Sequence, residues 1–133
     1  MTLARRAAIA VKIHCPVSAA TLAAMLAGDA SAIELDETAA AILAIIRADN
    51  PLGDFALYGG VVEIGLGWES FTPGAAANPA LGTAGSAALS PTAILTTYAP
   101  AGSDIEPALA ALMAAHPWEV PVIEIRDVEL LIR

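Results

Sequence analysis

"HPWEVPVIEI", residues 116–125, decides how this chain is read. Two prolines bracket an aromatic residue and a carboxylate, between an alanine-rich run and an apolar, alternating one. Proline lacks the N–H that continues a helix, and it pushes the residue before it out of helical geometry. A helix must therefore end at His116 and a strand begin after Pro121. Trp118 and Glu119 are held at the corner between them.

Upstream, "SDIEPALAALMAAH" (103–116) predicts a well-specified helix. Ser103 with Glu106 three residues on forms a capping box. Pro107 falls in the first turn, where its missing N–H costs nothing. Ile105, Leu109, Leu112 and Met113 make the buried stripe, and His116 lies in the last turn, where positive charge is favoured. Downstream, "VPVIEIRDVELLIR" predicts a closing strand. Ile123 and Ile125 share one side, but Val128, Leu130 and Ile132 are one residue out of phase. A bulge or break near Arg126-Asp127 is expected from that slip.

The chain's start follows the same logic. In "AIAVKIH" (8–14), Ile9, Val11 and Ile13 point one way and Lys12 and His14 the other, as in a strand with one buried face. Pro16 ends it, and Ser18 caps a helix whose apolar face is Leu22, Met25 and Leu26, up to Gly28. Asp36 caps a second helix carrying Ile42, Leu43, Ile45 and Ile46, stopped by Asn50-Pro51. Residues 29–35 are left open between a connector and a short strand. "GDFALYGGVVEIGLGWESFTP" (53–73) is expected to be a hairpin turning at Gly65-Leu66-Gly67, with Gly59-Gly60 a bulge or a close backbone approach. Residues 74–91 form a long loop of small residues, a kind usually either functional or mobile. "TAILTTYA" (92–99) is a strand.

Totals limit the function. With 133 residues the chain is most simply one domain, and at 57% hydrophobic with 5% aromatic its core is aliphatic. A net charge of −8, with six Lys and Arg and no basic run, argues against nucleic acid and against anionic lipid. Cys15 is the only cysteine, so no intramolecular disulfide forms and a reducing compartment is expected. Lys12 and His14 interrupt the apolar start too soon for a signal peptide, and no apolar run approaches the ~20 residues that cross a bilayer. A soluble, cytoplasmic protein is expected.

The element order fits an α+β fold of the ferredoxin-like, split βαβ kind: a mainly antiparallel sheet with helices packed on one face. The strands carry few charges, so the sheet's other face needs a cover, and self-association supplies one.

At this point the chain resembles a known family. "HPWEVP" is similar to the corner of CutA proteins and of the domain inserted in many Nif-three-like proteins. "GLGWESFTPGAAANPALGTAG" (65–85) resembles that inserted domain's glycine-rich segment, its phenylalanine shortly before a proline, and its "ANP…G" loop. The match is best over residues 53–126, within a single PII/CutA-like domain spanning 1–133. The resemblance implies a homo-oligomer, commonly a trimer, with a sensing, small-ligand-binding or scaffolding role, or a protein partner. It implies no metal site or hydrolase activity, because the family's metal residues belong to flanking lobes.

The residues with chemistry are few. His116, Trp118, Glu119, Phe71 and Asn78 are the candidate ligand-binding set, carried by the two motifs. The plainer reading of the corner is structural: imidazole at the helix end, prolines setting the turn, Trp118 filling a contact. A metal corner of His116 and Glu119 is not a full coordination set; a divalent metal held by His116 with His14 or Cys15 is the alternative, although nothing in the spacing demands it and a buried small cysteine is the commoner outcome. An enzyme with a site shared between subunits is the third reading. No catalytic residue is assigned and no cofactor is expected. Glu63, Glu69, Glu119 and Glu124 are candidate acid–base carboxylates, but solvated strand positions on an acidic protein is the preferred reading. Gly65-Leu66-Gly67 lacks the frame of a dinucleotide fingerprint.

Overall fold

Alternation along the first strand fixes which side of the sheet is dry. Val11, Ile13 and Cys15 are fully buried, whereas Lys12 and His14 between them point to the other face and remain partly exposed. The computed structural model describes residues 2–133. In it β1 (Ala4–Pro16) leads to α1 (Ala19–Leu26), a 3-10 helix over Ala30–Leu35, and α2 (Glu37–Arg47). Then come β2 (Val62–Phe71), β3 (Ala88–Pro100), α3 (Glu106–Ala115) and β4 (Ile123–Ile132). The four strands form one sheet in the order β2-β3-β1-β4, with every neighbouring pair antiparallel. That order, with its two crossovers through helices, is the expected ferredoxin-like arrangement.

The core lies between the helices and the two central strands. Ile42, Leu43 and Ile46 of α2 and Ile105, Ala108 and Leu112 at α3 meet Val11, Ile13, Ala93, Leu95 and Ala99 of the sheet. Each large aliphatic side chain buried there is worth about 1.5–3 kcal/mol. Asp36 ties the helical region together. It caps α2 through Ala39 N–H at 3.1 Å, and it accepts Ser18 N–H and the Thr21 hydroxyl, both at 2.9 Å, at the start of α1. Burial alone would raise its carboxyl, but bonds from Ser18, Ala39, Thr21 and Thr38 together hold it below the usual carboxylate value.

Several local expectations are corrected. Gly65-Leu66-Gly67 is not a turn: β2 runs straight through it, pairing Gly65 with Ile94 and Gly67 with Thr92 of β3. The hairpin is β2–β3, closed by residues 72–87, so the long loop ends at residue 87, where β3 takes over, rather than at 91. The two-residue period of Val62, Ile64, Leu66 and Trp68 outweighs the glycines, which lie between them on the opposite face. Gly53 and Gly60 take positive φ in the connection before β2, where Val61 N–H bonds to the Gly53 carbonyl at 3.2 Å.

No slip interrupts β4. Its register with β1 is continuous from Ile123↔Ile13 to Ile132↔Ala4. The apolar phase changes because the protected side changes: towards its end Val128 and Leu130 are half-buried on the face away from the helices, while Asp127, Glu129 and Leu131 are exposed. On that face Ala8 and Ala10 are buried, and at the same end Arg6 lies over the Phe55 ring at 5.0 Å.

The capping box does not form, since Ser103 Oγ donates to Pro100 O and the Glu106 N–H goes to Asp104. Met113 is exposed, and Ala108 is buried in the stripe with Leu112. Of the exposed large apolar residues, Ile64 and Trp68 lie on the edge strand β2 and Ile125, Leu131 and Ile132 on the edge strand β4. The face away from the helices carries Lys12, Thr92, Thr96, Glu63 and Glu124 on its alternating positions.

Candidate functional site

The corner after α3 is locked by its histidine. His116 leaves the helix with φ −77° and ψ 130°, the extended geometry that a following proline imposes. Its ring is buried. Nε2 lies 2.7 Å from the His14 carbonyl, and Nδ1 accepts the Trp118 N–H at 3.2 Å. A nitrogen that accepts carries no proton, so the ring is the neutral tautomer with its proton on Nε2. Burial pushes its pKa below the ordinary histidine value, despite the opposing pull of the bond to His14 and the Glu69 carboxylate. His116 is therefore not the positive helix cap that the sequence suggested.

His14 gives both of its backbone polar groups to this corner. Its N–H donates to Val122 O at 3.0 Å and its carbonyl takes the imidazole proton. A side chain thus completes the ladder where β4 begins, and helix end, corner and central strand are joined at one residue.

The locked corner then holds the loop. Trp118 meets Phe71 edge-to-face, with centroids 5.3 Å apart and planes at 70°, and Glu119 Oε1 accepts the Asn78 N–H at 2.6 Å. Within the loop, Gly85 N–H bonds Pro73 O at 2.9 Å. Gly82, at φ +94°, passes so close that an added Cβ would lie 3.2 Å from Ala88 and 3.3 Å from Pro73. The loop is ordered by its own contacts as well as by the corner.

Between loop and corner is an open cavity of about 280 Å³, lined by Glu69, Phe71, Pro73, Pro79, Trp118 and Glu119, among others. Two buried donors or acceptors beside it lack partners, Trp118 Nε1 and His14 Nδ1; the latter lies 3.7 Å from Glu69 Oε2. Buried polar groups in proteins are rarely left so.

Phe71, Asn78, Trp118 and Glu119 are thus brought together from three separate segments, with His116 behind them as their anchor. Glu69 belongs to the same cavity and was missed as a solvated strand position. Its signal was its spacing, two residues before Phe71 and so on the same face of a strand. The metal set does not assemble. Cys15 faces the helices on the side opposite His14, and both ring nitrogens of His116 are engaged. Burial first, and then the Asp36 charge, push the Cys15 thiol up to about 12. Among the described residues no group of three or more His, Cys, Asp or Glu is placed to hold a metal ion.

Fold and site together define a class: a split βαβ domain with a loop-covered cavity at one end of its antiparallel sheet. No family model matches the chain, and no curated protein matches it. Among solved structures, a Bacillus cereus protein related to NIF3 superposes with a TM-score of 0.62 at 15% identity, over 96% of this chain and 27% of that one. At that identity the likeness is one of fold, and this chain spans about a quarter of the neighbour's length. No helix among the described residues is long and apolar enough to cross a membrane.

Proposed function

We propose that the chain is a non-enzymatic PII/CutA-like domain that binds a small ligand in the cavity between residues 72–87 and the His116–Pro121 corner. The observation that carries this is the cavity itself: aromatic walls from Phe71 and Trp118 and two carboxylates, beside a loop fastened to Glu119 at Asn78. Its volume is at the small end of ligand sites, which suits a metabolite of few heavy atoms.

Self-association, as a trimer, is part of the same reading. The apolar residues on the two edge strands, Ile64 and Trp68 on one and Ile125 and Leu131 on the other, support it. Light scattering at micromolar concentration is expected to give three times the chain mass; a monomer there removes the trimer.

The binding reading is tested by a thermal-shift screen of metabolites on the wild type and on Trp118→Ala in parallel. A ligand that binds only the folded state raises the midpoint by mass action. At least one compound should raise the wild-type midpoint and leave the variant unmoved. Equal shifts in both place binding elsewhere.

A further inference from the structure

We infer that the ligand of this cavity is a small organic cation, an ammonium group on a short apolar body. The inference rests on the proposed binding role and names the class of compound the cavity takes.

Charge decides first. The cavity is lined by two carboxylates, Glu69 and Glu119, and by no Lys or Arg. The sequence has no Lys or Arg anywhere from residue 48 to residue 125. An anionic ligand would meet two like charges, and the one basic ring nearby, His14, has its Nδ1 buried and turned to Glu69 at 3.7 Å. A neutral apolar ligand would strip water from both carboxylates and offer nothing in return. A cation meets neither penalty, and the net charge of −8 raises the concentration of cations around the protein.

The walls then separate organic cations from metal ions. A hard metal ion needs about six oxygen ligands in a close shell. Here the carboxylates are set among Phe71, Pro73, Ala77, Pro79 and Trp118, and no three-residue ligand group exists among the described residues. Aromatic rings beside a carboxylate are the surroundings that alkylammonium groups favour, through the negative faces of the rings. Glu119 already holds Asn78 N–H through Oε1, whereas Glu69 makes no hydrogen bond among the described residues and lies at ion-pair distance, 3.7 Å, from the His14 Nδ1. Glu69 is thus the freer counter-charge.

The test uses three probes of one shape: choline, its neutral isostere 3,3-dimethyl-1-butanol, and 3,3-dimethylbutanoate. Each is titrated at constant ionic strength into a Trp68→Phe protein, in which Trp118 is the only tryptophan and is excited selectively over the two tyrosines. Choline should saturate the signal at least about tenfold more tightly than the alcohol, with no response to the anion. Glu69→Gln should weaken choline about tenfold and leave the alcohol unchanged, with an unaltered circular dichroism spectrum. If the alcohol or the anion binds as tightly as choline, the cavity remains a ligand site and the cation assignment falls. If none of the three saturates, the assignment falls, and a metabolite screen without hits then removes the binding role as well.

Discussion

Replacing His116 by alanine should cost about 3 kcal/mol of folding stability. The ring is buried, and its removal breaks two hydrogen bonds, to the His14 carbonyl at 2.7 Å and from the Trp118 N–H at 3.2 Å. Each such bond is worth about 1 kcal/mol, and losing the ring's packed surface adds roughly as much again. His116→Gln, whose amide can still donate to the His14 carbonyl, should recover about half of the loss. The acid dependence has a definite sign. In the unfolded chain the imidazole binds its proton near pH 6.5; in the folded chain burial lowers that value. Between the two values the unfolded state holds more protons, so acidification favours unfolding. The contribution of His116 is fully present above about pH 6.5 and is lost as pH falls from there through the lowered folded value. Urea unfolding of the wild type and both variants at about pH 7.5 and about pH 5.5 reads both effects, and the difference between proteins isolates His116 from His14. An alanine variant within about 0.5 kcal/mol of the wild type would refute the reasoning. So would a wild-type excess over the variant that grows on acidification, since that would mean a charged imidazole.

Other perturbations separate the remaining structural claims. Gly65→Ala should be neutral or stabilising by up to about 1 kcal/mol, because a Cβ there meets Ile94 only at 3.8 Å within a regular strand; destabilisation in urea would revive a turn at that position. Gly53→Ala should cost more than about 2 kcal/mol, since its Cβ would lie 2.6 Å from Val61 N at a φ of +73°. Asp36→Ala should lower stability by about 2–3 kcal/mol, and with its carboxyl held low in the fold, that part of wild-type stability should persist above about pH 4 and vanish below it in acid titrations. Glu119→Ala should release residues 72–87, speeding protease cleavage in the loop about fivefold while global stability changes by less than about 0.5 kcal/mol; unchanged cleavage would show that Asn78 needs no latch.

Where residues announce their own geometry, the sequence was enough. Pro16 and Pro117 end their elements, Ser18 and Asp36 cap the helices they precede, and the alternation around Val11 names the buried face. It misled where two local signals competed. Glycines at 65 and 67 are turn signals taken alone, yet the partner that turns the segment into a strand begins at Ala88, beyond the loop. The phase change in β4 looked like a slip because periodicity records which side is protected, and that side changes where the helix layer ends. Ser103 and Glu106 had the right spacing for a box, but Pro100 O and Asp104 were the nearer partners. For the site, family resemblance supplied Phe71, Asn78, Trp118 and Glu119 as candidates. Their meeting depends on a loop crossing to a corner about 40 residues later, which no local pattern encodes. Glu69 was overlooked for the same reason, its strand having been cut at the glycines.

The most direct measurement is a ¹H–¹⁵N spectrum of the two tryptophan indoles, assigned with Trp68→Phe, recorded while metabolites are added. The Trp118 indole should shift in a saturable way with at least one small compound while the Trp68 indole stays in place. A Trp118 signal indifferent to every compound, or shifts confined to Trp68, would contradict a ligand site between the loop and the corner.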